Sequence, residues 1–319
     1  MTEPHPVVPA ASAGAGHLLP RIRSGLSDLF RTRRPVLVAA SPAVVLLEAV
    51  ARCGISERVL VVVGGRDGER FASVAEGCGK EVIRAYVPEG ATLEPRHLAC
   101  FLDGPAVDAV ALVHAESSTG ALAPLEELGA VVRSRSGMML LVDATSSAGA
   151  EPIEPDVWGL DAVVAGSAGP LGLPPGLAFG ALSERLLARA RTLPARGWAL
   201  DLVRLDEAAR SDVAPEDLPL PFLRALALGL DQLAAAGGLP AARRRRAGLH
   251  AALERWLERN PGWSPLAREG RRSAAVVVLQ RDGERASRAG LHLPADLTEE
   301  SLEVMLAPLE HGAESTPAV

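Results

Sequence analysis

The residues best placed to do chemistry in this chain follow short apolar segments that have the composition of buried strands. Asp143 ends the segment MMLLVD, and the Gly166-Ser167 turn follows the next such segment. A third strand-like segment, 107–113, runs into the sequence HAESSTG, which carries His114 and Glu116. Because ligands bind at the carboxyl ends of strands in an α/β sheet, we expect the ligand site at these strand ends.

Composition and charge exclude several classes of protein. The 319 residues carry a net charge of -6 and a pI near 5.7, which argues against a nucleic-acid partner. The apolar runs break well before the roughly 18 residues of a membrane span, and residues 1–17 lack the basic start and apolar core of a secretion signal. Three cysteines without metal-ligand spacing indicate buried thiols. We therefore expect a cytoplasmic protein with no nucleic-acid, membrane or metal partner.

Strand-like and helix-like segments alternate through the first two thirds of the chain. Strands are predicted at 35–39, 58–63, 81–87, 107–113 and 138–143, with helices between them, one of which is expected over 69–78. This alternation predicts an α/β fold with a mostly parallel sheet covered on both faces. The domain prediction is a disordered tail over 1–20, a large α/β domain over 21–220 and a small α+β domain over 221–319.

Local signals in the sequence predict two helix caps and one irregular stretch. Ser41 is expected to cap a helix over 41–52 that has Pro42 at its first position, and Thr298 to cap the closing helix. The stretch 194–218 is expected to be irregular and exposed.

Several motifs of this chain resemble those of the class V aminotransferases, the alanine–glyoxylate and serine–pyruvate group. The segment 142–149, VDATSSAG, is similar to the family's Val-Asp-x-x-Ser-Ser-x-Gly, and 158–161, WGLD, to its Trp-Gly-x-Asp. The Gly-Ser at 166–167 and the Pro-Pro-Gly at 174–176 match the family's Gly-Ser-Gln-Lys and Pro-Pro-Gly, and 114–120 matches its His-x-Glu-(Ser/Thr)-Ser-Thr-Gly. The resemblance implies fold type I of the transferases that use pyridoxal phosphate (PLP), with PLP as the family cofactor.

The Schiff-base lysine is the family residue that this chain does not have. Relatives hold PLP on that lysine, which later moves the proton between the substrate α-carbon and the cofactor. Gly169 occupies the matching position, and Lys80 is the only lysine in the sequence. Lys80 enters a strand far from Asp143 along the chain. We therefore predict no catalytic residue at Gly169 and no bound PLP.

Three further positions depart from the family's cofactor site. The helix start that receives the PLP phosphate in relatives is Pro42-Ala43 here, which lacks one N–H and a hydroxyl. Asp67 replaces the aromatic residue that stacks on the pyridine ring, and a carboxylate cannot stack. Asp217 replaces a threonine that donates to the phosphate of the neighbouring subunit. The Gly64-Gly65 turn also lacks the G-x-G-x-x-G spacing of a dinucleotide loop.

The resemblance implies six vestigial cofactor-binding positions, at one of which, Thr145, relatives have a small apolar residue. They are Ser41, Ser118, Thr119, Asp143, Thr145 and Ser167. Asp143 either matches the carboxylate that pairs with the pyridine nitrogen or only caps its turn through Ser146 and Ser147. Ser118 and Thr119 either place a hydroxyl near the cofactor or only turn the chain.

The candidate substrate-binding residues are His114, Glu116 and Arg288. Arg288 matches the family arginine that clamps the substrate α-carboxylate with two hydrogen bonds, and its alternative is an ordinary surface arginine. A small carboxylic or amino acid is the ligand that these groups would take.

Taken together, the four departures predict a non-catalytic relative, a pseudoenzyme with a structural or regulatory role. We expect it to form a homodimer, or a heterodimer with an active paralogue. One alternative is a protein that binds or transforms a small amino or keto acid in the old cleft without PLP. The other is an atypical transaminase whose amine comes from a partner.

Overall fold

The computed structural model describes most of the chain. The described residues are 16–168, 175–194, 196–211, 218–281, 284–293 and 297–310. Most of the predicted tail over 1–20, Gly169 and Asp217 lie outside these residues.

Helices and strands alternate along the chain as expected. The strands are β1 (Val36–Ala39), β2 (Arg58–Val63), β3 (Glu81–Tyr86), β4 (Ala109–Val113), β5 (Met139–Asp143), β6 (Ala162–Gly166), β7 (Ala178–Leu182), β8 (Trp263–Pro265), β9 (Val276–Arg281) and β10 (Glu284–His292). The helices are α1 (Leu19–Phe30), α2 (Ala43–Gly54), α3 (Arg66–Gly77), α4 (Pro95–Leu102), α5 (Leu125–Arg133), α6 (Pro155–Trp158), α7 (Glu184–Thr192), α8 (Leu202–Arg210), α9 (Leu220–Ala235), α10 (Gly238–Arg259) and α11 (Glu299–Glu310).

A seven-stranded sheet in the order β1-β7-β6-β5-β4-β2-β3 forms the centre of the large domain. Only β7 runs antiparallel to its neighbours, so the predicted α/β fold with a mostly parallel sheet is confirmed. The central strands β4 to β7 are short and mostly apolar, as strands buried on both faces require.

Helices cover both faces of this sheet. Helices α1, α4, α5 and α9 pack on one face, with Leu26, Phe30 and Leu98 among the buried side chains. Helices α2, α3, α7 and α8 pack on the other face around residues such as Leu46 and Phe71. Two separate apolar layers therefore fix the sheet and the ends of its strands.

The small domain has its own antiparallel sheet in the order β10-β9-β8. Helices α10 and α11 pack on it through Leu253, Trp256 and Leu306. Arg246 of α10 is fully buried and donates to the carbonyl of Gly149 in the large domain and to that of Leu293, at 3.0 Å each. The guanidinium therefore links the two domains, because its donors need partners once they are buried.

Ser41 is not the N-cap of α2, so that prediction is wrong. Pro42 has the extended backbone of a cap residue, with ψ 149°, and the helix begins at Ala43. The Ser41 amide donates to the Ala39 carbonyl at 2.9 Å, and its hydroxyl is buried with no hydrogen-bond partner among the described residues. The turn out of β1 therefore holds Ser41 one residue before the cap position.

The stretch 194–218, expected to be irregular, contains α8. Asp201 caps this helix by accepting from the Val203 amide at 2.9 Å, and Leu202 and Asp206 are buried against the sheet layer. The Pro and Gly residues that precede α8 are typical of loops, and they led to the prediction of an irregular stretch. The predicted Thr298 cap is confirmed, since its hydroxyl accepts from the Ser301 amide at 3.1 Å.

Among the described residues, no single helix is long and apolar enough to cross a membrane, and only α9 and α10 together, across a 73° bend, reach that length and composition.

Candidate active-site cleft

Asp143 lies at the carboxyl end of β5, where its carboxylate is 1% exposed. Both the amide and the hydroxyl of Thr145 donate to its Oδ1, at 2.9 and 2.5 Å. Burial raises the pKa of Asp143, while the Thr145 donors and then Arg70 lower it. The alternative in which Asp143 caps its turn through Ser146 and Ser147 is therefore wrong in its partners, because Thr145 supplies both hydrogen bonds to Oδ1.

Arg70 supplies the positive charge that faces Asp143. Its Nη2 lies 3.1 Å from Asp143 Oδ2, and its Nη1 lies 3.1 Å from Asp67 Oδ1, one turn earlier on α3. Asp67 is 3% exposed and its other oxygen accepts from the Ser117 amide at 2.9 Å. Sequence reasoning missed Arg70, although the spacing of Asp67 and Arg70 on a helix was a readable signal.

Glu116 closes the start of α3 from a distant loop. Its carboxylate is 5% exposed and accepts from the amides of Asp67 and Gly68, at 3.1 Å each. A carboxylate is favourable there because the first amides of a helix lack partners within it. This contact explains why α3 begins at Arg66, before the predicted residue 69.

The hydroxyls of Ser118 and Thr119 in the 114–120 loop hydrogen-bond to the loop, to the residue that follows it and to α3. Ser118 Oγ donates to Glu116 Oε1 at 2.6 Å and accepts from the Arg66 amide at 3.0 Å. Thr119 is buried, and its hydroxyl accepts from the Ala121 amide at 3.4 Å. A Cβ on Gly65 would lie 2.2 Å from Ser118 Oγ, so the Gly-Gly turn allows the loop to approach closely.

The side chain of His114 is 3% exposed, and among the described residues its Nδ1 has no hydrogen-bond partner. Burial lowers the pKa of His114 to about 3, so the imidazole is neutral in the folded chain. Its backbone amide donates to the Asp143 carbonyl at 2.9 Å, which joins β4 to β5 at this edge.

This buried neutral histidine gives the chain a measurable pH dependence. As the pH falls below about 6.5, the imidazole of His114 becomes protonated in the unfolded chain. In the folded chain the same imidazole stays neutral until the pH approaches its lowered pKa of about 3. The free energy of unfolding should then fall by up to about 1.4 kcal/mol per pH unit from this group. In urea unfolding from about pH 7 to 4, His114→Gln should lose this one-proton slope. The exposed His97→Gln control should keep it, and equal slopes in both variants would contradict the assignment.

The start of α2 reaches the same cleft as Asp143. A Cβ on Gly166 would lie 3.6 Å from Ala43 Cβ and 3.7 Å from Thr145 Cγ2, so β5, β6 and α2 converge here. Ser167 is buried, and its hydroxyl accepts from the Leu177 amide at 3.2 Å. The structure therefore brings Thr145, Gly166 and the α2 start together.

Lys80 lies at the amino-terminal ends of the parallel strands, whereas Asp143 lies at their carboxyl ends. It precedes β3, whose first residue pairs with Arg58 at the start of β2, and its Nζ donates to the Ser56 carbonyl at 3.2 Å. Asp143 instead ends β5 and pairs with Val113 at the end of β4. Strands of five or six residues rise about 15 to 20 Å, which is much farther than a lysine side chain reaches.

Arg288 lies on β10 of the small domain and pairs with Glu89, which follows β3.

Burial of Glu116 raises the pKa of its carboxyl group, and the neighbouring Asp67 carboxylate raises it further. Two buried carboxylates, from Asp67 and Asp143, contact the guanidinium of Arg70, and the buried carboxylate of Glu116 interacts with it electrostatically. Their excess negative charge is unfavourable for a dianionic phosphate ester.

A sequence model of the family described as Aminotransferase class-V matches residues 58–291. The chain belongs to the class V aminotransferase family. Alanine–glyoxylate aminotransferase of Nostoc sp. is 28% identical and superposes with a TM-score of 0.76 over 85% of this chain and 73% of its own. Aspartate aminotransferase of Thermus thermophilus is 30% identical, with a TM-score of 0.75 over 86% of this chain and 76% of its own. These neighbours place this class V family member in PLP-transferase fold type I.

Relatives with other names are similar in sequence over shorter stretches. The small subunit of a soluble hydrogenase from Synechococcus sp. is 30% identical over 225 residues, which are 69% of this chain and 59% of that protein. Pyridoxamine–pyruvate transaminase of Mesorhizobium japonicum is 32% identical over 60% of this chain and 48% of its own. This class V chain thus spans about half the length of the curated relatives it matches.

Proposed function

We propose that this chain is a class V aminotransferase-fold protein that does not carry out Schiff-base transamination and has a structural or regulatory role. The observation that carries the proposal is the position of Lys80. The only side-chain amine in the sequence is bound to the Ser56 carbonyl at the edge of the sheet away from Asp143. The family reaction needs a lysine beside the cofactor, and Gly169 has no side chain to replace it.

The cleft residues do not fit PLP in other respects either. The α2 start offers a proline and Ala43 where a phosphate needs N–H and hydroxyl donors. Asp67 is buried at the position where a stacking ring is needed, and its carboxylate already binds the Ser117 amide and the Arg70 guanidinium. Asp143 already has a cationic partner in Arg70. We therefore derive no reaction step through PLP for this chain.

A structural or regulatory role fits a chain that keeps the fold but not this site. We propose a homodimer, or a heterodimer with an active paralogue, as the working form, and the cytoplasm as its location. The supporting feature is that the large-domain fold is retained in full among the described residues, including the 114–120 loop and the α2 start. Family membership therefore supports an assembly role without requiring the chemistry.

Equimolar PLP followed by borohydride tests the proposal. We expect no stoichiometric adduct by intact mass, no saturable Schiff-base absorbance and no amino-group transfer, because the only lysine of the sequence, Lys80, is bound to the Ser56 carbonyl away from Asp143. Lys80→Arg is the matched control, because it removes the only lysine of the sequence. Its mass spectrum should show no more than the trace of adduct that the natural chain shows. Stoichiometric labelling of the natural chain, together with transfer of an amino group to pyruvate or glyoxylate, would overturn the proposal.

A further inference from the structure

Glu89 binds Arg288 in the way that a small carboxylate ligand would. Its Oε1 lies 2.5 Å from Nη1 of Arg288, and its Oε2 lies 2.9 Å from Nη2. Two parallel bonds from one guanidinium to both oxygens of one carboxylate are the arrangement by which arginine recognises carboxylates. The chain thus presents its own carboxylate to this guanidinium.

The turn that carries Glu89 is fixed by packing against the small domain. Gly90 has a positive φ of 72°, and a Cβ there would lie 2.1 Å from the Leu266 carbonyl oxygen. Its own carbonyl accepts from the Arg268 amide at 2.9 Å. Only glycine fits this close approach in that conformation. Glu89 is therefore held beside β10 by the backbone on each side of the contact.

A second ion pair joins the same loop to the small domain with simpler geometry. Arg271 Nη2 lies 3.3 Å from Glu94 Oε2, a single contact where Glu89 makes two. The side chains of Glu94 and Arg271 are 39% and 30% exposed, similar to the 54% and 34% of Glu89 and Arg288. This pair therefore serves as an internal comparison for any effect of charge alone.

We propose that Glu89 is an internal competitor for Arg288, so that a small carboxylate binds this guanidinium only when Glu89 leaves it. This inference rests on the proposed function, because without transamination the carboxylate is a bound ligand and not a substrate. While Glu89 is bound to the two Nη atoms of Arg288, no other carboxylate can bind there. The apparent affinity of Arg288 for carboxylates is therefore reduced in proportion to the fraction of molecules in which Glu89 is bound.

The exposure of the pair allows this exchange. Both side chains reach solvent, and an exposed ion pair is weak enough for water and ligands to compete with it. Removing the Glu89 charge should therefore tighten acetate binding at Arg288 by about five- to tenfold. Acetate is the probe because it carries the carboxylate and little else.

The test follows the side-chain Nε–H signal of Arg288 by NMR while acetate is added, with chloride at matched ionic strength as the reference. The natural chain should show only a small, unsaturated change. Glu89→Gln should give a saturable acetate-specific shift with the tightening stated above, and Glu89→Gln with Arg288→Gln should lack it. Glu94→Gln, which removes the comparison pair, should behave as the natural chain does.

Two outcomes would overturn the inference. Equal acetate binding by the natural chain and Glu89→Gln would show that Glu89 does not compete. No acetate-specific shift in either chain would show that Arg288 does not take carboxylates. Neither outcome bears on the absence of a Schiff base, which the borohydride experiment decides separately.

Discussion

Replacing Asp161 by alanine is expected to lower the free energy of unfolding by about 3 to 5 kcal/mol. Its carboxylate is 1% exposed and accepts from the Leu140 amide at 2.9 Å and from the Ser183 hydroxyl at 2.6 Å. Arg185 of α7 adds two contacts, at 3.0 and 2.6 Å. Alanine would leave these donors without an acceptor at the junction of β5, β6 and α7.

Urea unfolding of the purified variant measures the loss. Asp103→Ala is the matched control, because Asp103 makes one 2.6 Å ion pair with Arg135 while 66% exposed. Its loss should stay within about 1 kcal/mol, as for other surface pairs. A similar small loss for Asp161→Ala would mean that the carboxylate does not join these elements. The Trp-Gly-x-Asp motif would then need another explanation.

Replacing Arg70 by methionine is expected to lower the free energy of unfolding by about 1 to 3 kcal/mol at neutral pH. The range lies below that of a fully buried pair because the Arg70 side chain is 41% exposed and solvent screens it. Methionine would leave the Asp67 and Asp143 carboxylates buried without their cation. Adding Asp143→Asn should recover at least about 1 kcal/mol, since one uncompensated charge is removed.

The pH dependence of Arg70→Met has a defined sign. Burial already raises the pKa of Asp143, and loss of Arg70 removes a group that lowers it. A carboxyl group whose pKa is higher in the folded chain binds its proton more tightly there. Its contribution to stability is therefore present below the unfolded pKa near 3.9 and is lost as the pH rises through the folded value. We expect a larger deficit at about pH 8 than at about pH 5.

Thermal unfolding across that pH range, in the single and double variants, measures this prediction. An Arg70→Met deficit that does not change with pH, or that Asp143→Asn leaves in place, would mean that Arg70 acts through packing of its aliphatic stem. Arg66→Met is the control on the same helix, because Arg66 is exposed and its amide, not its side chain, contacts Ser118.

Arg70→Met addresses a property of the cleft, which is that its charged groups are paired within the chain. Asp143 has Arg70, and Glu116 has the amides at the start of α3. A site built for a charged cofactor would need such groups for the cofactor instead. This pairing therefore supports a scaffold whose stability no longer depends on a bound ligand.

The sequence by itself determined the fold class, the approximate positions of the predicted strands and the strand ends at which Asp143 and His114 lie, but it did not reveal Arg70. These rest on local information, namely the β-branched strand segments, the alternation with helices and the motifs around Asp143 and His114. The absence of a second lysine is also a fact of sequence. It limits the chemistry at Gly169 without any knowledge of how the chain folds.

Only the tertiary structure decided which partners these residues have. Arg70 and Asp143 are 73 residues apart, and Glu89 and Arg288 are 199 apart. Glu116 caps α3 from 49 residues downstream, which moved the helix start from the predicted position. Ser41 lost its predicted cap role to the turn after β1, and Asp201 gave α8 a cap within a stretch predicted as irregular. Pairings across the sheet depend on strand order and register, which no local pattern specifies, so they became visible only once the chain was folded.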